Sequence, residues 1–234
     1  MAFNFGRKKR ETSPGGSVVL RYEGDGQREA AVQQEFRADD ASMREAVYDR
    51  FFGTCETVYH EVLPKVPHID VYVYPAGQKG RNFCTLVTGG MSDLPMHFPA
   101  EAAGKVPRRV ELIFYCAEPK PVYLGGLRWL AAFPHSYRTW VGSGHTVPNG
   151  DPPEPMWGSN VLNTALLMPT IVKPDNTLQN ELCIEGDAVE FLWVVPLSQG
   201  ECDLKLAKGF NAILDLFQHH RHPHIFNADR RSYV

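Results

Sequence analysis

The sequence lacks an excess of basic residues and lacks any long apolar run. Its 234 residues contain 24 Lys and Arg against 27 Asp and Glu, which gives a net charge of -3. Because nucleic-acid-binding proteins usually carry a basic patch, we expect no nucleic-acid partner. The longest strongly apolar run, FLWVVPL from Phe191, is too short to span a bilayer, and no apolar signal core follows the basic residues 7–10. We therefore expect a cytoplasmic protein that does not associate with membranes.

Paired cysteines are also missing. The cysteines are odd in number, stand far apart and form no C-x-x-C pair; they are Cys55, Cys84, Cys116, Cys183 and Cys202. Each lies in an apolar pattern, which is typical of small buried thiols in a reducing compartment. With 43% hydrophobic and 22% charged residues, the chain is long enough to bury a core without disulfides or a structural metal.

The usual signature of a serine hydrolase is absent. The segment LVTGGMSDLPM, residues 86–96, contains Ser92 and Asp93, but a nucleophile elbow requires G-x-S-x-G and the second glycine is missing. An adjacent aspartate does not supply the general base that activates a serine. The pattern favours a strand-to-loop corner in which Gly89 and Gly90 adopt positive φ. The alternative left open is a small hydrolase that uses Ser92 or a histidine-dependent site.

Four histidines cluster near the C-terminus without the spacing of a metal site. They are His219, His220, His222 and His224 in FQHHRHPHIF. Pro223 breaks any helix that would bring His220 and His224 onto one face, and no carboxylate or thiol lies nearby in the sequence. The pattern favours an exposed polar helix end. We expect no metal and no other cofactor.

The glycine-rich segment WVGSGHTVPNG, residues 140–150, matches neither G-x-G-x-x-G nor the P-loop, so phosphate binding is not expected. Its Trp140, His145 and Asn149 could still form a recognition surface, because loops on a rigid scaffold commonly carry binding residues.

Apolar periodicity predicts an α+β fold. The predicted strands lie near 69–74, 83–88, 109–116, 164–172 and 189–195, and the predicted helices near 42–62 and 199–218, with a shorter helical pattern from about 123 to 133. Strands that follow one another in sequence favour antiparallel pairing. We therefore expect a single domain in which helices flank a mixed, largely antiparallel sheet.

The sequence also predicts where the long helices begin and end, how Glu111 is placed and where the folded domain starts. The long helices are expected to begin at S-x-x-E capping boxes, Ser42 to Glu45 and Ser198 to Glu201, and Pro64 is expected to end the first. Glu111, inside an alternating strand, is expected to face solvent or a partner. Residues 1–17 are expected to be a flexible basic tail, followed by the domain over residues 18–234.

Several motifs together resemble the suppressor-of-fused domain family. HIDVYVYPAG, TLVTGGMSDLPM, RVELIFYC, FPHSYRTWVGSGHTVPNG and FLWVVPLS occur in the order and at about the separations of that family, over about residues 40–228. The chain is most similar to its single-domain bacterial form, whereas the eukaryotic regulator, which holds Gli-type transcription factors, has a second domain.

The resemblance implies a non-enzymatic protein-binding module, an antagonist or immunity protein that sequesters a protein partner such as a toxin. It implies no catalytic residues. It places the turn at 89–96 and the loop at 140–150 across a groove, which leads us to expect these partner-binding residues: Gly90, Met91, Ser92, Asp93, Met96, Trp140, His145 and Asn149. The oligomeric state and the identity of the partner are left open.

Overall fold

A computed structural model of the protein describes residues 9–21, 38–61 and 65–234. The strands are β1 (Lys9–Thr12), β2 (Val18–Arg21), β3 (Thr57–Tyr59), β4 (Asp70–Tyr74), β5 (Cys84–Gly89), β6 (Arg109–Cys116), β7 (Thr146–Pro148), β8 (Leu162–Pro169), β9 (Cys183–Ile184) and β10 (Asp187–Ser198). The helices are α1 (Ala38–Phe52), α2 (Pro121–Ser136), α3 (Gln199–Lys208) and α4 (Phe210–His220). Short 3-10 turns cover Met91–Asp93, Ala100–Ala102 and Asp175–Asn180.

The main sheet has the strand order β3-β4-β5-β6-β10-β8-β7, with β9 paired to β10. Strand β10 runs parallel to β6, and every other pair in this sheet is antiparallel. The fold is therefore α+β with a mixed, largely antiparallel sheet, as the sequence predicts. The three-residue strands β3 and β7 form the two edges.

Both faces of the sheet are covered, which explains why its central strands are almost continuously apolar. Along β10, Leu192 and Val194 face a core that includes Leu127 and Leu130 of α2. The alternate residues of β10 face a second core under α1 and α4: Val189, Phe191, Trp193, Val195 and Leu197. Helices thus lie on both faces of the sheet.

The first helix ends ten residues earlier than the sequence predicts. Helix α1 ends at Phe52, and Gly53 follows with a φ of 106°. The segment that was predicted to continue the helix instead forms β3, in which a Thr-Val-Tyr run suits a strand. Ser42 lies inside α1 rather than at its start, so the predicted capping box there is wrong. The predicted end at residues 62–64 lies outside the described part of the chain.

The second long helix is two helices. The capping box at its start is confirmed, because the Ser198 side chain accepts from the Glu201 amide while the Glu201 carboxylate accepts from the Ser198 amide. Gly209, with φ 89° and ψ 175°, then separates α3 from α4. Only glycine adopts that backbone conformation readily, so the break is encoded by one residue.

The predicted N-terminal tail covers residues that form an antiparallel hairpin of β1 with β2. The Gly15 amide in its turn donates to the Leu206 carbonyl of α3 at 2.8 Å. Residues 1–8 lie outside the described chain, and the division of the protein at residue 17 stays a prediction, although the hairpin crosses it.

The cysteines are free thiols, as expected, but they are not all buried. Cys84, Cys116 and Cys202 are buried, Cys55 is half-buried and Cys183 is exposed. Among the helices that the structure describes, none is long and apolar enough to cross a membrane.

Candidate functional site

The turn after β5 is organised by Glu111, which is fully buried. One carboxylate oxygen of Glu111 accepts from the Gly90 and Ser92 amides, both at 3.0 Å, and from the Ser92 hydroxyl at 2.6 Å. The other accepts from the Thr88 hydroxyl at 2.6 Å. The prediction that Glu111 faces solvent or a partner is therefore wrong, because the charge is satisfied inside the protein.

Ser92 is fully buried and its hydroxyl is committed to a carboxylate. A substrate cannot reach such a hydroxyl. The turn is a structural corner, as the sequence favours, and Gly90, with a φ of 104°, supplies the left-handed residue. Gly89 ends β5 without a positive φ, because it still pairs as part of the strand, so the prediction is wrong for that residue. A Cβ there would lie 1.9 Å from the His68 carbonyl oxygen, so a side chain is also excluded by space.

Arg44 of α1 ties the same turn to the helix. Its guanidinium pairs with Asp93 and lies 3.7 Å from Glu111. Burial raises the pKa of Asp93 to about 6; Arg44 opposes this shift and Glu111 adds to it. The Asp93 carboxylate is thus a partner of the protein's own arginine.

Arg109, also buried, holds the turn from the other side. Its guanidinium donates to the Ser92 carbonyl at 2.7 Å and to the Asp93 carbonyl at 2.9 Å. It also pairs with Glu185 and Asp187, next to β9 and at the start of β10. Two arginines and one glutamate therefore fix the turn that the sequence marked as a binding loop.

The predicted groove residues from this turn are largely inaccessible. Gly90, Met91, Ser92 and Met96 are buried, and Asp93 is half-buried. The turn does lie beside the other predicted loop: the Val141 amide contacts the Met96 sulfur at 3.5 Å, and the His97 amide donates to the Thr139 carbonyl at 3.1 Å.

The residues predicted from the second loop are half-buried. The rings of Trp140 and His145 contact each other, with centroids 4.3 Å apart. Burial lowers the pKa of His145 to about 4, and the charge of Lys205 adds to the shift. The Asn149 side chain donates to the carbonyls of Glu154 at 3.0 Å and Pro155 at 3.2 Å, which closes the loop that follows.

A groove of about 320 Å³ lies between α2 and the β7 edge of the sheet, and we call it the α2 groove. Its lining consists of Val122, Gly126, Trp129, Leu130, Val147, Asn149, Pro155, Met156, Trp157 and Ala165. Two of these residues, both in α2, are exposed to solvent: Val122 is 52% and Trp129 46% exposed. Asn149 is the only predicted site residue in this lining.

The sequence prediction missed the α2 groove for a physical reason. Val122 and Trp129 fit the apolar pattern of a helix, and periodicity alone does not show which apolar residues stay uncovered. The long loop after Gly150 was visible as a run of glycine and proline, but not its approach to α2.

The C-terminal histidines do not converge. His222 stacks on Phe217 with centroids 4.2 Å apart, and His220 stacks on Tyr233 at 4.3 Å. His224 packs edge-on against Phe83. The rings of these three histidines pack against aromatic side chains. Among the described residues, a different group places metal-ligating atoms close together: His60, His68 and Asp70.

Three solved structures have the same fold. A suppressor of fused homologue from Neisseria gonorrhoeae FA 1090 matches with a TM-score of 0.63 and 14% identity, covering 85% of this chain and 98% of that one. The structure of the Sufu-Fu complex matches with a TM-score of 0.55 and 15% identity, covering 82% and 89% of the two chains. Drosophila Suppressor of Fused matches with a TM-score of 0.52 and 16% identity, and this chain, covered over 82%, spans 50% of it.

No curated protein sequence matches the chain significantly. The family of the suppressor of fused protein (SUFU) matches residues 65–231, which hold the main sheet from β4 onward, helices α2 to α4, the Glu111-centred turn and the α2 groove. The chain belongs to the suppressor of fused protein family.

Proposed function

We propose that the protein is a binding module that captures an extended apolar segment of a partner protein in the α2 groove, and that it acts by sequestering that partner rather than by catalysis. The observation that carries this proposal is the pair of exposed apolar side chains, Val122 and Trp129, beside an apolar groove floor. Exposed Trp in a concave apolar setting is the usual anchor of a protein interface.

The chemistry of the groove favours a particular kind of segment. Asn149 is the one polar side chain in the lining, and its amide hydrogens are already used within the loop. The loop that forms this wall, residues 149–160, contains the exposed acidic residues Asp151 and Glu154 and no Lys or Arg. The complementary segment is therefore apolar with a basic residue beside it.

The β7 edge lies against the same groove, because Val147 belongs both to the strand and to the lining. An extended segment suits this position, since backbone pairing at a strand edge combines with side-chain pockets on one face. Pro148 lacks an amide hydrogen, so β7 supports a short strand rather than a long one.

Membership of the suppressor of fused family supports protein binding in general, and the Sufu-Fu complex is a protein complex of a structure with this fold. The finer role that we infer is that of an antagonist or immunity protein, with a toxin or a regulatory protein as the sequestered partner. The burial of Ser92 and the commitment of its hydroxyl to Glu111 argue against a hydrolase that uses Ser92.

The test begins with a pull-down from the native host to identify the partner, followed by titration calorimetry. Trp129→Ala is expected to weaken binding by about 2 kcal/mol, roughly thirtyfold, because it removes the exposed anchor. Trp140→Ala is the matched control, since Trp140 is a half-buried tryptophan outside the groove lining. Loss of affinity in Trp140→Ala with normal affinity in Trp129→Ala would move the site to the loop predicted from the sequence.

The sequestration role has a separate readout. If the captured partner is toxic, its expression is expected to stop growth, and co-expression of the wild-type protein, but not of Trp129→Ala, is expected to restore it. A partner that is harmless in this assay, or a toxin that stays active when bound, would contradict the immunity role while leaving the groove as a binding site.

A further inference from the structure

His60, His68 and Asp70 lie together at the β3 edge of the sheet, opposite the β7 edge. The strand register brings them there: Tyr59 of β3 pairs with Val71 of β4, so the next residue, His60, stands opposite Asp70. His68 precedes Asp70 by two residues and therefore projects to the same side of the extended chain. The relation of His60 to Asp70 was not predicted, because residues 42–62, which include His60, were predicted to be helical.

Both imidazoles converge on one carboxylate. His60 Nδ1 lies 3.0 Å from one oxygen of Asp70, and His68 Nε2 lies 3.1 Å from the other. All three ligand atoms lie within 4.8 Å of one another. In a tetrahedral zinc site with bonds of about 2.0–2.1 Å, neighbouring ligand atoms stand roughly 3.3 Å apart. Each imidazole nitrogen thus lies close to that spacing from one of the two Asp70 oxygens.

The surroundings suit a bound ion. The Glu61 amide donates to Asp70 at 2.9 Å, which fixes the carboxylate in the way that outer hydrogen bonds orient metal ligands. The side chains of His60 and His68 are 69% and 43% exposed, so the ion has an entry path and room for a water molecule as a further ligand.

We propose that His60, His68 and Asp70 bind one divalent transition-metal ion, with Zn²⁺ as the best match. Two imidazoles and one carboxylate are ligands that zinc takes readily, with water in the fourth position, whereas Mg²⁺ and Ca²⁺ prefer sites built from oxygen alone. The ion links β3 to β4 and stabilises the edge strand. This departs from the expectation of a protein without metal, which rested on the C-terminal histidines.

The test uses untagged protein freed of metal with EDTA. Calorimetry with Zn²⁺ is expected to show one ion per chain with a Kd of ~1 μM or tighter, and Co²⁺ is expected to give the intense visible absorption of a four-coordinate ion. Mg²⁺ is expected not to compete. Absence of saturable Zn²⁺ binding to the wild-type protein would overturn the proposal.

Variants locate the ion. His60→Ala and Asp70→Asn are each expected to weaken Zn²⁺ binding by at least the 10–100-fold that loss of an outer-shell partner costs. Asn retains an oxygen for the Glu61 amide, and His60 is mostly exposed, so both variants should fold, which circular dichroism checks without metal. His219→Ala, which removes an exposed histidine of α4, is the matched control and should bind like the wild type. Binding that survives His60→Ala and disappears in His219→Ala would place the ion at the C-terminus and refute the proposal.

Discussion

Glu111 shows how one residue converts a strand end into a fixed corner. Its carboxylate takes four hydrogen bonds from residues 88–92, and Arg44 provides a positive charge 3.7 Å away. A buried charge is tolerated only when its hydrogen bonds and its counter-charge are complete. Here both conditions hold, which is why an ionisable residue can occupy the middle of a strand that is buried on both faces.

Replacing Glu111 with Gln tests this account. The Gln side chain has nearly the same shape as Glu but is uncharged, and its NH₂ group faces donors of the turn. Arg44 keeps its pair with Asp93 but loses the buried negative charge of Glu111. We expect a loss of about 3 kcal/mol in the free energy of unfolding, measured by urea titration, since breaking one half of a buried pair costs this much.

Glu118→Gln is the matched control, because Glu118 is an exposed glutamate just beyond the same strand. Its replacement is expected to change the free energy of unfolding by less than about 0.5 kcal/mol. Equal effects of the two substitutions would mean that the Glu111 network contributes little to stability.

At the scale of elements, Gly209 decides the shape of the C-terminal region. It ends α3, begins α4, and packs against the turn of the β1–β2 hairpin, where a Cβ on Gly209 would lie 3.1 Å from the Gly15 carbonyl oxygen. The hairpin turn therefore packs at the break between the two helices.

Gly209→Ala is expected to lower the free energy of unfolding by about 1–3 kcal/mol, because alanine is strained at this φ and ψ. Gly200→Ala in α3 provides the comparison: its Cβ would meet neighbours at 3.7 Å, an ordinary contact, and alanine favours helix. We expect that variant to be unchanged or stabilised by up to about 1 kcal/mol. Thermal unfolding of both variants measures these two effects. A Gly209→Ala protein as stable as the wild type would show that the break between α3 and α4 does not require glycine.

The elements with strong periodicity were predictable and their ends were not. The strand at 109–116 was predicted with the bounds it has from its alternating pattern, although that pattern misplaced Glu111. The end of α1 was missed because the apolar spacing continues past Phe52, while the single residue Gly53 stops the helix. Gly209 interrupts the last predicted helix in the same way. A prediction from apolar periodicity alone does not register that a single glycine can end a helix.

The candidate sites were likewise predictable only in part. The segments around residues 89–96 and 140–150 were recognised as unusual from composition, but composition does not distinguish a loop that binds a partner from one held by buried charges. The α2 groove depends on how the loop after Gly150 approaches α2, and the group around Asp70 depends on which residues stand opposite each other across strands. That information belongs to the register, which short-range pattern cannot supply.

The whole molecule carries half-buried histidines on several elements, and they contribute to how its stability depends on acid. Burial lowers the pKa to about 4 for His135 in α2, for His145 before β7 and for His222 after α4. The nearby charges of Lys205 and Arg230 add to the shifts of His145 and His222, respectively. In the folded protein these rings stay neutral well below the ordinary histidine pKa of about 6.5.

The direction of the effect follows from proton binding. Between about pH 6.5 and pH 4 the unfolded chain binds protons at these histidines and the folded chain does not, so acidification in this window favours unfolding. Asp93, with its pKa raised to about 6, acts in the opposite sense, because the folded form binds its proton first as the pH falls. Three histidines outweigh one aspartate, and the free energy of unfolding should fall as the pH is lowered from 7 to 4.

His135→Gln isolates one of these contributions. The Nε2 of His135 donates to the Met91 carbonyl at 3.0 Å, and the Gln amide can supply the same donor without titrating. At about 1.4 kcal/mol per pKa unit, His135 accounts for at most about 3 kcal/mol of the loss near pH 4. Urea unfolding at pH 7, 5.5 and 4.5 should therefore give a shallower pH dependence for His135→Gln than for the wild type. The comparison uses the slope of stability against pH, so a constant cost of the substitution at all three pH values does not affect it. Parallel curves for the two proteins would show that His135 titrates equally in the folded and the unfolded state, and would contradict the assignment of a neutral ring beside the turn after β5.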